Sequence, residues 1–313
     1  MPLGLRRGIV SAIVERLDGL VRIEVDGIAC VAYPRLTGEV EAGDEVLVNE
    51  QARALELGSG GFDVLYANLT RGLGLEPEEG AHVMALPYTP GQVTVCYKEE
   101  TDALADGLAG MPVVCCTLHS QVAPVCAGLA GLRVAYVQVA GGALPVSLSD
   151  ALRELRRREL LQVTAAVAPC LDAEAQFVTV AAALAWSRKR GHDAVVCAVG
   201  PGIVGTGSRL GHGALALAEA ANTATALGGR PVLAVRTSDA DQRERHQGVS
   251  HHAQAVLDLC LGKVTTAAEA DGDGWEEACA GLPLSHMGRG PEEDPAFFRS
   301  AYAAGVAARR LLG

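Results

Sequence analysis

Five apolar runs of strand length, at 112–118, 133–139, 162–168, 194–199 and 231–236, constrain this chain more than any other feature. The segments between them, at 120–130, 149–160, 173–190 and 214–227, have the spacing of apolar residues that suits helices. A strand with one face in water alternates apolar and polar residues, and these runs do not. They read as strands buried on both faces, which requires helices on each side of the sheet. The fold class that follows is α/β, a mostly parallel sheet with helices on both faces. Residues 294–312 read as one closing helix, and no repeat at solenoid periods is present.

The first fifth of the chain has a different texture. Residues 7–69 read as all-β, with β-branched runs at 7–15, 20–25, 28–33 and 45–49. Asp18-Gly19, Asp26-Gly27 and Ala42-Gly43-Asp44 lie between or beside them as turn signals. Short strands at this spacing predict a small barrel. The expected organisation is a barrel-like domain over 1–70, a linker over 71–81 rich in Gly and Glu, and the α/β domain over 82–313.

Composition narrows the partners. The 313 residues carry a formal net charge of −11, which argues against nucleic acid, since a phosphate backbone needs a basic face. Arg153, Arg156, Arg157 and Arg158 cluster locally and read as a solvated helix face. No apolar run reaches the ~20 residues that span a bilayer, so no membrane partner is expected. The first 17 residues interrupt their apolar stretch with charges and show no cleavage pattern. Nine cysteines, odd in number and without a C-x-x-C pair, suit buried reduced thiols in the cytoplasm. Cys115 and Cys116 are adjacent in an expected strand and should face opposite sides of the sheet. A homo-oligomer stays open.

A parallel sheet binds ligands beyond the carboxyl ends of its strands, so the residues that follow each strand matter most. After the fourth strand come six glycines in fourteen residues, from Gly200 to Gly213. Such a segment packs few side chains, and it lets backbone N–H groups approach an anion near a helix start. Gly202, Gly205, Thr206, Gly207 and Ser208 are the expected ligand-binding residues, with Arg236 and Arg245 as charge-neutralising donors. The segment is not a Walker loop, because it lacks Gly-Lys-Ser/Thr. As a dinucleotide fingerprint it is weak, since the expected helix starts late.

His119 and His252 are the candidate general acids or bases, and Asp239 the candidate orienting carboxylate. Asp239, Asp241, His246 and His252 are candidate ligands for a divalent metal; the sequence names no other cofactor. Ser250 reads as a helix cap with His251 and His252 in the first turn. Adjacent helical residues project about 100° apart, so one of the two, His252, is expected to face an ion. No G-x-S-x-G elbow marks a serine nucleophile. Three functions remain. The first is an enzyme, or a degenerate one, that binds a small anionic or phosphorylated ligand at the glycine loop. The second is a non-catalytic sensor or scaffold whose barrel is the partner surface. In the third, the glycines only pack a helix closely on the sheet.

Four motifs run together through most of the chain: Leu118-His119-Ser120, Tyr136 with Gly142-Ala143-Leu144-Pro145, the glycine segment, and Arg236 through His252. In these the sequence resembles a bacterial family of unassigned activity, domain-of-unknown-function family 3866. The resemblance implies a single pocket and no particular reaction. The family pattern has an acidic residue where Val139-Ala140 stand here. It also has two glycines after the third strand, where Cys170-Leu171 precede Asp172 and Glu174.

Overall fold

The structure, a computed structural model, describes residues 3–55, 61–72 and 74–313. Leu73, inside the expected linker, lies outside the described residues. The chain forms two compact units, Met1–Val95 and Cys96–Gly313.

In the first unit β1 (Leu5–Leu17), β2 (Leu20–Val25), β3 (Ile28–Ala32), β4 (Glu45–Asn49) and β5 (Asp63–Asn68) close a barrel in the order β1-β2-β3-β5-β4. Only the β3–β5 pairing is parallel. Two four-residue helices, α1 (Pro34–Thr37) and α2 (Gln51–Ala54), lie between strands. Asp26 and Gly27 join β2 to β3 with φ of 52° and 76°, the two positive values that match the twist of a two-residue hairpin. Val10, Ile23, Val25, Val46 and Val48 fill the interior. Asp63, fully buried on β5, accepts hydrogen bonds from Arg53 Nε (2.8 Å) and Arg6 Nη2 (3.2 Å), so its charge is compensated. The hairpin of β6 (Val83–Ala85) and β7 (Val93–Val95) completes the unit.

The second unit is built on β8 (Pro112–Cys116), β9 (Val134–Val139), β10 (Val163–Val167), β11 (Ala175–Phe177), β12 (Ala194–Val199) and β13 (Arg230–Ala234). A small hairpin of β14 (Thr237–Ser238) and β15 (Gly248–Val249) stands apart from the sheet, and β16 (Thr265–Thr266) is its last edge. The order is β11-β10-β9-β12-β8-β13-β16, and every pair is parallel. The five apolar runs are the five central strands. The expected helix over 173–190 is corrected: β11 occupies its start, and the helix runs only from Val180.

Helices cover both faces. α3 (Val122–Gly128), α4 (Asp150–Arg157), α8 (Trp275–Ala278) and α9 (Pro295–Arg310) pack on the side of Cys116, Tyr136 and Val196. α5 (Val180–Lys189), α6 (Ala216–Ala226) and α7 (His251–Leu259) pack on the side of Cys115, Val137 and Cys197. Cys115 and Cys116 thus do face opposite sides. α9 closes against α3 through Gly128 and Gly305; a Cβ on Gly305 would stand 2.2 Å from the Val125 carbonyl oxygen. The arginines of α4 and its C-cap Arg158 are all ion-paired, Arg153 with Asp150, Arg156 with Glu174, and Arg157 and Arg158 with Glu154. Among the described residues no helix is long and apolar enough to cross a membrane.

Candidate functional site

Because every strand of the sheet runs the same way, the loops after β8, β9, β10, β12 and β13 share one edge. The chain leaves β9 towards β10 and leaves β12 in the opposite direction, towards β13, so a switch point falls between β9 and β12. Backbone fills it. A Cβ on Gly142 would lie 2.2 Å from the Gly200 oxygen, and one on Gly213 would lie 2.1 Å from the Gly141 oxygen. Gln138, buried on β9, donates from Nε2 to the carbonyls of Ala143 (3.1 Å) and Leu144 (2.9 Å) and holds the first of these loops in place.

The glycine segment continues as a finger. Gly213 N–H donates to Val204 O (2.8 Å), Thr206 N–H to Gly211 O (2.7 Å) and Ser208 N–H to Thr206 Oγ1 (3.2 Å). The tip, with Gly205, Thr206, Gly207 and Ser208, is exposed, as is Gly202 before it. α6 begins at Ala216, beyond the finger. The expected cradle residues therefore stand away from the helix start, and two of their N–H groups are spent inside the finger.

Polar side chains converge beside the finger's base. His212 ends the finger; Ser250 caps α7, its Oγ accepting from His252 N–H (3.2 Å). The β14–β15 hairpin folds the segment after β13 back, so that His246 reaches α7 and its Nδ1 lies 2.7 Å from Ser250 Oγ. The rings of His212 and His252 stack at 3.9 Å, and those of His251 and His252 lie 4.5 Å apart. His246 stands 4.9 Å from each of His251 and His252. His212 and His252 are each only 6% exposed. Nδ1 and Nε2 of His212, Nε2 of His251 and Nδ1 of His252 are buried without a hydrogen-bond partner in the protein.

Charge sits next to these rings. Arg236, 2% exposed, donates from Nη2 to Asp241 Oδ2 (3.0 Å), and its Nε has no partner. Arg243 pairs with the same carboxylate (2.8 Å), and Arg289 lies 3.7 Å from it and 3.2 Å from Asp294. Ser238 links the two residues, accepting from the Asp241 backbone N–H and donating to Asp294 Oδ2 (2.7 Å). Three guanidiniums thus face two carboxylates. Burial lowers the Arg236 pKa to about 10; Asp241 opposes that shift, and Arg243 and Arg289 add to it. Burial works to raise the Asp241 carboxyl, but the hydrogen bonds and charge of Arg243, with the charge of Arg236, hold it well below the usual range. Burial and the neighbouring guanidiniums take His246 and His286 down to about 3. Burial, then His212 and Arg236, take His252 to about 2. Burial lowers His212 and His251 as well, so all these imidazoles are neutral at pH 7.

Of the expected site residues, Arg236, Asp241, His246 and His252 come together. Asp239 is exposed, and Arg245 is exposed with its charge felt at His251. Asp241 is enclosed by guanidiniums, which leaves its carboxylate engaged with them rather than with the histidines. His119 is a tie between elements: Nδ1 donates to Val199 O (3.3 Å) and Nε2 accepts from Ser149 Oγ (2.6 Å), the cap of α4. Burial lowers its pKa to about 4. The expectation that one of His251 and His252 faces a given point is corrected, since both offer a nitrogen within 4.8 Å of His212. At a helix start the two long side chains can swing inward together. His212, His286, Arg289 and Asp294 were not foreseen. Only His212 had a signal, being a bulky residue inside a run of glycines. His286, stacked on Phe297 at 3.7 Å, comes from an aperiodic segment.

The model of a family described as a protein of unknown function (DUF3866) matches residues 29–276, well over half of the chain. No curated protein matches the sequence.

Proposed function

The chain belongs to the DUF3866 family, whose description assigns no activity, and we propose from its own site that it binds a small anionic ligand beside Arg236 and acts on it with neutral histidines. The observation that carries this reading is Arg236: a buried guanidinium that shares one carboxylate with two other arginines and keeps Nε unpartnered. Buried charge normally finds full compensation, and an excess of guanidinium over carboxylate in a desolvated place is what an anion supplies. Burial depresses His246, His252 and His286 most, and the same positive surroundings add to the shift. An anion that neutralises the field would remove that part of the shift and raise those pKa values, in the direction that lets imidazole work as acid and base. In this reading the glycine finger flanks the arginine–histidine cluster rather than cradling the anion, and the first task of Gly141, Gly142, Gly200 and Gly213 is to interlock the loops.

The test is calorimetry and thermal melting with inorganic phosphate. At about 100 times Kd the ligand stabilises by roughly 2.7 kcal/mol, a rise in Tm of about 5–10 °C. Arg236→Gln and Arg289→Gln should lose the shift, and Arg209→Gln on the finger should keep it. A shift that survives both pocket changes and disappears in Gly205→Val would put the anion on the finger instead.

A further inference from the structure

We propose that His212, His251 and His252 form a binding site for one divalent transition-metal ion of the zinc type. The three residues come from two elements, the base of the finger and the first turn of α7, and each presents a ring nitrogen within 4.8 Å of the others. Four of their six ring nitrogens are buried and unpartnered in the protein. Buried polar atoms are nearly always hydrogen-bonded, so a knot of orphaned imidazole nitrogens facing one another is costly unless something they all bind sits between them. Three imidazoles in mutual reach match the donor set of a zinc ion.

The alternatives for these nitrogens are few. Water has little access, since His212 and His252 are each only 6% exposed. A carboxylate partner is absent from the group: Asp241 is engaged by Arg236 and Arg243, and Asp239 is exposed. Zn–N bonds of about 2.0–2.1 Å set tetrahedral nitrogens roughly 3.3 Å apart, so the rings close inward by rotation about their side-chain bonds. Ser250 fixes the start of α7 through His252 N–H and meets His246 Nδ1, so His246 supports the ligands from behind. A three-histidine set leaves a position for water or an anion. The ion would thus extend the anion-binding reading, but the argument for it uses only the histidine geometry.

The experiment is zinc titration of chelator-stripped full-length protein in phosphate-free buffer, with bound metal counted by mass spectrometry and Co(II) used as a spectroscopic probe. One equivalent of zinc should bind, and Co(II) should give the intense visible bands of a tetrahedral site. Affinity should fall by about 100-fold or more in His212→Ala, His251→Ala and His252→Ala, beyond what loss of a supporting group does. His246→Ala should keep the equivalent. His212→Cys covers the case in which an alanine variant misfolds: it should retain metal and add a sulfur-to-cobalt charge-transfer band. Failure of the wild type to bind a stoichiometric ion would overturn the proposal, as would full binding in His212→Ala and His252→Ala. Because phosphate is absent, neither outcome depends on whether the anion reading holds.

Discussion

His252, His246 and His286 are neutral because the fold has removed them from water and put guanidiniums nearby, and that arrangement has a cost in acid. In the unfolded chain a histidine takes its proton near pH 6.5. In the fold these three resist protonation down to about 2, 3 and 3. Below pH 6.5 the unfolded state therefore binds more protons, and stability falls as pH falls. It is fully present above pH 6.5 and lost progressively towards pH 3, at up to about 1.4 kcal/mol per pH unit for each histidine. The depressed Asp241 carboxyl acts in the same direction, but only below its unfolded value near pH 4. Urea unfolding of metal-free protein at pH 7.5, 6.0 and 5.0 isolates the histidines. Stability should decline across that range, and His286→Phe should flatten the slope. Equal stability at all three values would show that these rings are protonated or solvated in the fold.

Among the elements, the interlocked loops after β9 and β12 make the clearest demand on sequence. Gly142→Ala would set a methyl 2.2 Å from the Gly200 oxygen, and Gly200→Ala would set one 2.1 Å from the Ala143 oxygen. Backbone cannot step aside as a side chain can, so each change should cost at least about 1–3 kcal/mol. Gly207→Ala at the finger tip meets nothing within 4 Å and should stay within about 0.5 kcal/mol of wild type. Chemical denaturation of the three variants checks the contrast. These glycines show where the sequence was legible and where it was not. Their number marked the loop, but only the packing separates those that interlock backbone from those that are exposed. The five central strands were legible because burial on both faces leaves uninterrupted apolar runs. β11 and β16 were not, since three and two residues are too short for any periodicity. Arg236, Asp241, His246 and His252 were legible as residues after a strand, where a parallel sheet must present them. His286, Arg289 and Asp294 come from a distant segment, and nothing local announces that α9 brings them to the same place.

At the scale of the whole molecule the two units differ in how much they bury. The barrel has a small interior lined by one to three side chains from each of five strands, whereas the sheet has a core on each face. Smaller units bury a smaller share of their surface and are more marginal. Seven of the nine cysteines are buried and unbridged: Cys30 in the barrel, and Cys115, Cys116, Cys126, Cys170, Cys197 and Cys279 in the second unit. Burial drives the thiols of Cys30, Cys126 and Cys197 up to about 12, so in the fold they are neither accessible nor ionised. Each is therefore a silent clock that starts only when its surroundings open. Pulsed alkylation followed by peptide mass spectrometry should find Cys30 modified first as urea is raised, and Cys126 and Cys197 later and together. Simultaneous modification of all three would mean that the barrel and the sheet share one opening event. Because the thiols are native to the chain, its unfolding can be timed unit by unit without adding a label site, even in a crude extract.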